Sequence, residues 1–481
     1  MIFLLKIKMI PEGLEARVLV CDPDNKILPE LPIILHKRFS EGEPLSIINT
    51  AIMHGFGRFE VGGVEYTVVG DMNSIAKEVA RNPVPFYSVV VYEAVQVGQE
   101  GSAGVIADVN KYDSFMPQMI MGKRLEAALA ARCARAGVLY FVEELSEAQD
   151  QIVNKIFRRP VRLPNLTVVK IGGSAFDFDR QINGSLNLEY VCDILANIHQ
   201  ERDENREKRR VNRILLTVGA GQYGDIVKEH TLRYGHNSDV RKQYPRSMAL
   251  ALQANLENLK PHFGDKASLL TTGAFYYIEP NSSSQRIPLI GTAPHYVMAR
   301  DGIPLEDSDT HTVALGEHYV AERVILIKRT DGIYDFDPYR GHPLGKQIPG
   351  NWLTRKLDRY RWQWTQRHNE RHTIVTVEDI LSNKFSREGT GIDGKSDGST
   401  GHLIEDSALA YMRDRCEHVK EIVVVHIAPE EMHYPIGGDQ YKHVVTGEVV
   451  TIDPQTGWRG VLEENIRNAF NGVAHSKIVR E

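Results

Sequence analysis

Short apolar runs that alternate with helical patterns restrict the fold of this chain more than any other feature of its sequence. The apolar runs lie at 166–171, 213–218, 286–291, 323–328 and 421–427. The helical patterns between them lie near 186–199, 246–260 and 403–416. Strands that alternate with helices in this way predict a mostly parallel sheet with helices on both faces. We therefore expect an α/β fold, a three-layer αβα sandwich, with ligands bound outside the carboxyl ends of its strands.

The first third of the chain has a different pattern and predicts a separate mixed α/β domain. Strands are expected at 15–21, at 31–36 and within 86–97, and Gly62-Gly63 between two β-rich runs indicates a hairpin. Apolar residues at helical spacing predict a helix over 118–136 that ends at Gly137. The prolines of the segment 158–164 then break a helical pattern at 143–157. We divide the chain into an N-terminal domain, 1–158, of unassigned role, and a second domain, 159–481.

Composition excludes several classes of function. The 481 residues carry 57 Lys and Arg against 63 Asp and Glu, a formal net charge of −6, so no overall basic field favours nucleic acid or an anionic membrane. Four widely spaced cysteines form no C-x-x-C pair, which argues against a zinc ribbon or a disulfide framework and favours a cytoplasmic setting. No run approaches the roughly 20 apolar residues that span a bilayer, and we interpret residues 1–10 as a strand.

Glycine-rich loops follow three of the predicted strands. They lie at 172–174, 219–224 and 331–332. Glycine lets the backbone approach an anion closely, and the N-terminus of a following helix adds exposed N–H groups. Glycine also ends strands for purely steric reasons, so one such loop is weak support for a phosphate site. Three loops on one sheet are stronger support, because they would converge on a single crevice.

Lys170 is the residue most strongly indicated for catalysis. It stands inside an apolar strand, two residues before Gly172, and a buried lysine is costly unless it meets a counter-charge. At the strand end its ammonium group is in a position to neutralise a phosphoryl group in transfer. The alternative is a strand-end lysine whose head reaches water.

The segment Glu306-Asp-Ser-Asp-Thr310 places three carboxylates within four positions. Such acids repel one another unless a cation or hydrogen-bond donors compensate, and Mg²⁺ carried with nucleotide phosphates would do so. The alternative is a helix start, with Asp309 as the N-cap of a helix over 311–321. The two interpretations are compatible.

Other features support more than one interpretation. His295, in a predicted loop, is either structural or an oxyanion contact, and His426 is expected in the core. Lys395 lies in a glycine-rich stretch that is either a lid over the phosphates or a surface loop. The basic, aromatic insertion at 349–373 favours a subunit contact, with an exposed helix or single-stranded nucleic acid as alternatives.

In their order along the chain, these motifs resemble the amino-acid kinase superfamily. They are Lys170-Ile-Gly-Gly-Ser174, Gly219-Ala-Gly221, Asp309-Thr310 and Thr330-Asp-Gly-Ile-Tyr334 followed by Asp337-Pro338. Within the superfamily the sequence looks most like the branch that holds UMP kinases and molybdenum storage proteins. The likeness covers about 160–345 well and about 375–450 loosely.

The resemblance implies a protein that binds ATP with Mg²⁺. Lys170 and Asp309 would be catalytic. Asp309 would position the lysine and, through the nucleotide phosphates, the metal. Phosphate and nucleotide contacts would come from Gly172, Gly173, Ser174, Gly219, Ala220, Gly221, Thr330, Asp331, Gly332, Tyr334, Asp337 and Pro338. His295, Thr310 and His311 are the candidates for contacting an acceptor or oxyanion.

Three functions remain open at this stage. The first is a kinase or ATPase that acts on a small anionic acceptor by positioning and charge neutralisation. The second is a cage that uses ATP to store molybdate or tungstate, and the third is a non-catalytic nucleotide-binding scaffold. Relatives of this superfamily form dimers and hexamers, so the resemblance also implies a homo-oligomer; we expect neither a membrane nor a nucleic acid as partner.

Overall fold

The computed structural model shows an α/β protein built on two main sheets. The residues that it describes are 16–22, 57–61, 64–82, 86–97, 101–112, 116–122, 125–136, 138, 140–142, 165–176, 178–201, 213–234, 238–270, 286–328, 332–334, 371–382, 404–443 and 445–480. Among them no helix combines the length and the apolar character needed to cross a membrane.

The larger sheet has eight strands in the order β14-β19-β15-β11-β7-β8-β10-β9. Their bounds are β7 Leu166–Ile171, β8 Arg213–Val218, β9 Ala267–Leu270, β10 Ile287–Ile290, β11 Arg323–Lys328, β14 Ile374–Thr376, β15 Glu421–His426 and β19 Ser476–Val479. The strands from β15 to β9 run parallel, and β19 pairs antiparallel with β15. The mostly parallel sheet expected from the sequence is confirmed.

Helices cover both faces of this sheet. Those of this half of the chain are α5 Phe178–Gln200, α6 Gly221–Tyr234, α7 Ser238–Phe263, α8 His295–Asp301, α9 Ser308–His318, α10 Val377–Leu381, α11 Asp406–Arg415 and α12 Gly457–Phe470. Alternate residues of β7 enter opposite cores: Val168 packs with α8, α9 and α11, and Val169 packs with α5, α7 and α12. Since successive side chains of a strand point to opposite faces, this is the three-layer αβα arrangement.

The second sheet lies in the N-terminal part, in the order β2-β3-β1-β4-β5-β6. Its strands are β1 Ala16–Cys21, β2 Gly57–Val61, β3 Val64–Val69, β4 Val89–Glu93, β5 Gln118–Met121 and β6 Tyr140–Val142. All neighbours are parallel except β2 and β3, which form the predicted hairpin. Among the described residues of this part, four helices accompany it: α1 Met72–Arg81, α2 Ala94–Val97, α3 Ser102–Tyr112 and α4 Ala127–Ala136.

The predicted helix over 118–136 is wrong in its first part. Residues Gln118–Met121 form the buried strand β5, and the helix starts only at Ala127. A four-residue apolar run has no period of its own, and here pairing with β4 and β6 decides its conformation. Residues 94–97, expected as strand, turn into the short helix α2.

Short strands complete the described structure. Strands β12 Ile333–Tyr334 and β13 Arg371–His372 pair antiparallel, and β16 His433–Gly437, β17 Gln440–His443 and β18 Val449–Thr451 form a small sheet. Several predicted features lie outside the described residues: the strand at 31–36, the helix at 143–157, Lys395 and residues 349–370 of the insertion. His426 is a buried core residue, as expected, and its Nδ1 accepts from the Ala428 N–H at 2.8 Å.

Candidate functional site

Three adjacent strands bring the predicted site residues to one edge of the larger sheet. β7 lies between β8 and β11, and both pairs are parallel, so their carboxyl ends meet at the same edge. Lys170 is the penultimate residue of β7, Lys328 is the last residue of β11, and Gly219 directly follows β8. The loops after β7 and β8 are therefore neighbours.

The two glycine loops touch backbone to backbone. A Cβ on Gly173 would lie 2.6 Å from the Cα of Gly221, and a Cβ on Gly219 would lie 2.9 Å from the Cα of Gly173. Gly221 also has φ of +56°, the left-handed region that favours glycine. Close packing of the two loops thus accounts for glycine at these three positions.

Lys170 is buried and paired. Only 2 % of the residue is exposed, and its Nζ donates to Oδ1 of Asp309 and, at 2.7 Å, to Oγ of Ser308. The lysine therefore meets a counter-charge inside the protein instead of reaching water.

Lys328 is a second cation on the same carboxylate, and nothing in its local sequence indicates this role. Its Nζ lies 3.2 Å from Oδ2 of Asp309 and its side chain is 14 % exposed. Burial lowers the pKa of Lys328 and the nearby charge of Lys170 lowers it further, while Asp309 partly offsets both effects. For Asp309, burial opposes ionisation, but the two lysines outweigh it and hold its pKa well below the usual range.

The N-cap of α9 is Asp307 and not Asp309, which corrects one of the sequence-based alternatives. The Asp307 carboxylate accepts the Thr310 N–H at 3.0 Å and the Thr310 hydroxyl at 2.6 Å. The helix spans Ser308–His318, so Asp309 lies in its first turn. Because Asp307 caps the helix, the Asp309 carboxylate is available to pair with the two lysines.

Glu405 closes the site from the chain segment before α11. Its backbone N–H donates to Oδ2 of Asp309 at 3.1 Å, and its side chain lies near Asp307. Burial, together with the charge and hydrogen bond of Asp307, raises the pKa of Glu405 well above its usual range.

The carboxylates described here do not form a protein cage for Mg²⁺. Asp309 is occupied by Lys170, Lys328 and the Glu405 N–H, and Asp307 accepts from Thr310 and Ser407. Within the described ranges, no group of three His, Cys, Asp or Glu side chains is placed to hold a metal ion. The carboxylates of Asp307 and Asp309 are therefore already engaged by donors of the protein itself.

The histidine candidates are placed differently from each other. His295 is the first residue of α8 and is 7 % exposed, so it lies in a helix start and not in a loop. His311 is wholly buried: its Nδ1 faces the Ala293 N–H at 3.3 Å and its Nε2 faces the Leu305 carbonyl at 3.2 Å. Burial lowers the pKa of His311 to about 4, so the ring is neutral.

The predicted nucleoside contacts are only partly described. Gly332 is buried, and a Cβ there would lie 3.0 Å from Cγ of Arg371, while Tyr334 pairs through its backbone with the same arginine. Thr330, Asp331, Asp337 and Pro338 lie outside the described residues, as do the side chains of Ser174 and Tyr334.

Sequence reasoning also missed Ser308, Glu405 and Asn255. Ser308 carried a signal, since it stands between the two aspartates of a cluster of three acids. Glu405 and the buried helix residue Asn255 carried none, because their roles depend on contacts with residues far away in the chain.

Comparison with known proteins places one segment of this chain in context. Residues 165–348 match the family model described as amino acid kinase family. The curated proteins provide no match to the chain.

Solved structures give weak similarities. Uridylate kinase from Archaeoglobus fulgidus is 12% identical, with 65% of this chain and 99% of that one covered and a TM-score of 0.35. UMP kinase from Ureaplasma parvum is 12% identical, with 67% and 99% covered and a TM-score of 0.34. Aspartate kinase from Synechocystis is 14% identical, with 55% and 38% covered and a TM-score of 0.34. Residues 165–348, less than half of the chain, have the sequence pattern of the amino acid kinase family.

Proposed function

We propose that this protein binds ATP with Mg²⁺ at the carboxyl edge of the larger sheet and transfers the terminal phosphoryl group to a small anionic acceptor or to water. One observation carries the proposal: Lys170 and Lys328, from adjacent strands, share the carboxylate of Asp309 beside two glycine loops in contact. The match of residues 165–348 to the amino acid kinase family supports the same chemistry.

In this proposal the two lysines neutralise charge and the carboxylate positions them. Two ammonium groups from adjacent strands meet on the single carboxylate of Asp309, where they are in a position to attract phosphate oxygens. Asp309 fixes both ammonium groups before a nucleotide arrives, which reduces the reorganisation needed during transfer. ATP supplies the transferable phosphoryl group, with Mg²⁺ on its phosphate oxygens.

The remaining assignments follow from this placement. We propose that Gly172, Gly173, Gly219, Ala220 and Gly221 contact the phosphates. We further propose that the segment from Thr330 to Pro338 borders the nucleoside, with the phosphoryl acceptor binding near His295. His311 and Thr310 are committed to contacts inside the protein, so we do not assign either to the acceptor.

ATP turnover tests the proposal. We expect Mg²⁺-dependent release of ADP by the full chain, and at least a hundredfold loss of rate in Lys170→Ala and in Lys328→Ala. Lys260→Ala is the matched control, because Lys260 lies on the exposed part of α7 and only reaches the Gly264 carbonyl. Equal rates in Lys170→Ala and Lys260→Ala, with both variants folded by circular dichroism, would end the proposal.

Two further assignments are proposals of the same kind. We propose that the chain forms a homo-oligomer, which mass photometry tests directly. We also propose that residues 1–158 form a domain of their own, and expression of residues 159–481 alone tests it: a folded product supports the division. The present geometry offers no specific support for storage of molybdate or tungstate.

A further inference from the structure

Asn255 connects helix α7 to the second glycine loop. The residue is wholly buried, and its Nδ2 donates to the carbonyl of Gly219 at 2.7 Å and to the carbonyl of Ala220 at 2.9 Å. Its Oδ1 has no hydrogen-bond partner among the described residues. The reversed amide would place Oδ1 against two carbonyl oxygens, so the hydrogen bonds fix the orientation of the side chain.

These two hydrogen bonds, with the bond from the Gly224 N–H to the Ala220 carbonyl at 3.3 Å, determine where the loop's N–H groups point. In a peptide unit the C=O and the N–H point in opposite directions, because the unit is planar and trans. The carbonyls of Gly219 and Ala220 face Asn255, so the N–H groups of Ala220 and Gly221 face away from α7. Helix α6 begins at Gly221, and the first N–H groups of a helix have no partner within it.

The loop after β7 lies on the side of the second glycine loop that faces away from α7. Gly173 lies within van der Waals contact of Gly221, and this first loop continues the strand that carries Lys170. Two successive N–H groups at the start of a 14-residue helix therefore lie at the edge where the lysine pair is located. Such N–H groups carry partial positive charge and bind anions.

We propose that Asn255 is a positioning residue for phosphate binding. Its amide turns the 219–221 loop so that two consecutive N–H groups are presented to the phosphates of the nucleotide. The inference rests on the proposed function for its ligand, whereas the loop geometry that it explains does not depend on any ligand. A hydrophobic residue of similar size would fill the same space and leave the buried Gly219 carbonyl without its donor, whereas the Ala220 carbonyl would keep the Gly224 N–H at 3.3 Å.

The test compares Asn255→Leu with Gln253→Leu. Gln253 lies half-buried on the same helix, and its amide N–H donates to Glu257 at 3.1 Å instead of to the 219–221 loop. The first measurement is hydrogen exchange of the amides at 219–224 in the ligand-free chain. The second is the affinity for ATP, together with KM and kcat for ATP turnover.

We expect Asn255→Leu to raise the exchange rate of these amides at least tenfold. We also expect it to raise the Kd for ATP at least tenfold, equivalent to about 1.4 kcal/mol. KM should rise with a smaller change in kcat, because the lysine pair is intact, and Gln253→Leu should match the wild type in every measurement. If Asn255→Leu does not fold, Asn255→Ala removes both donors without adding a charge and gives the same comparison.

The outcomes separate the two proposals. If the wild type binds ATP and Asn255→Leu binds it equally well, the role of Asn255 is refuted and the proposed function stands. If the wild type binds no ATP, the proposed function fails, and faster exchange in Asn255→Leu alone still supports the control of the loop by Asn255. Unchanged exchange in Asn255→Leu overturns the inference in either case.

Discussion

Replacing Asp309 by asparagine should destabilise the protein by leaving two buried ammonium groups without their counter-charge. Lys170 and Asp309 have side chains that are 3 % and 6 % exposed, and Lys328 lies 3.2 Å from the same carboxylate. At an effective dielectric constant of about 20, two unit charges at that distance attract by about 5 kcal/mol. Breaking a buried pair from one side costs about 3–5 kcal/mol, because the remaining charge stays desolvated. We expect a loss of about that size for Asp309→Asn.

Urea unfolding at pH 7, followed by circular dichroism at 222 nm, measures this loss. Asp414→Asn is the matched control: Asp414 pairs with Arg413 at the surface, and its side chain is 53% exposed. Exposed pairs contribute about 0–1 kcal/mol, so the control should unfold close to the wild type. The double variant Asp309→Asn/Lys328→Met should recover at least about 1 kcal/mol, since it removes one of the two uncompensated charges.

The pH dependence has a definite sign. Because the folded pKa of Asp309 lies below its ordinary value, the ionised carboxylate contributes stability above about pH 3.8 that is lost as the pH falls. The difference in unfolding free energy between the wild type and Asp309→Asn should therefore become smaller as the pH falls. Ordinary surface substitutions change the free energy of unfolding by no more than about 0.5 kcal/mol. If Asp309→Asn differs from the wild type by less than that at pH 7, the reasoning is refuted.

Three further substitutions follow from the same site. Gly221→Ala should abolish ATP binding and lower the free energy of unfolding in urea by at least about 2 kcal/mol, because its Cβ would lie 2.9 Å from the carbonyl carbon of Gly173. Gly264→Ala is the control: its φ is +55° and a Cβ there would meet open space, so the loss should be only about 1 kcal/mol. Glu405→Gln should become more stable than the wild type as the pH rises above about 4.5, because the raised folded pKa makes ionisation of Glu405 destabilising. Parallel pH profiles of Tm for the variant and the wild type would contradict this. Between pH 6.5 and 4 the wild type should lose about 3 kcal/mol of unfolding free energy, because His311 binds a proton in the unfolded chain but not in the folded one. His311→Gln should remove this loss. A wild-type Tm that stays constant over this pH range would contradict the prediction.

The larger sheet could be predicted from the sequence because its signals are local. Strands β7, β8 and β11 have the predicted bounds, since continuous apolar runs ending at glycine or at a charged residue are typical of buried parallel strands. Lys170 and Asp309 were singled out by unusual local context, a lysine within an apolar strand and an acid within a cluster. Both features are visible without knowledge of the fold.

The partners of these residues could not be predicted in the same way. Lys328 ends an ordinary strand, and Asn255 is one polar residue among many on a long helix. Their roles arise from the strand order β8-β7-β11 and from the packing of α7 beneath the second glycine loop. The cap of α9 was misassigned because two aspartates stand two positions apart, and only the hydrogen bonds to Thr310 identify Asp307.

The charge cluster joins residues that are far apart in the chain, and this affects how the protein can be synthesised. Lys170 and Asp309 are 139 positions apart, and the Glu405 N–H that completes the carboxylate's hydrogen bonds comes 96 positions later. On the ribosome, the first lysine leaves the exit tunnel long before either partner exists. The nascent chain must therefore keep that ammonium group in water until most of the polypeptide has emerged, and a product truncated before residue 405 would carry the lysines and Asp309 without this last contact.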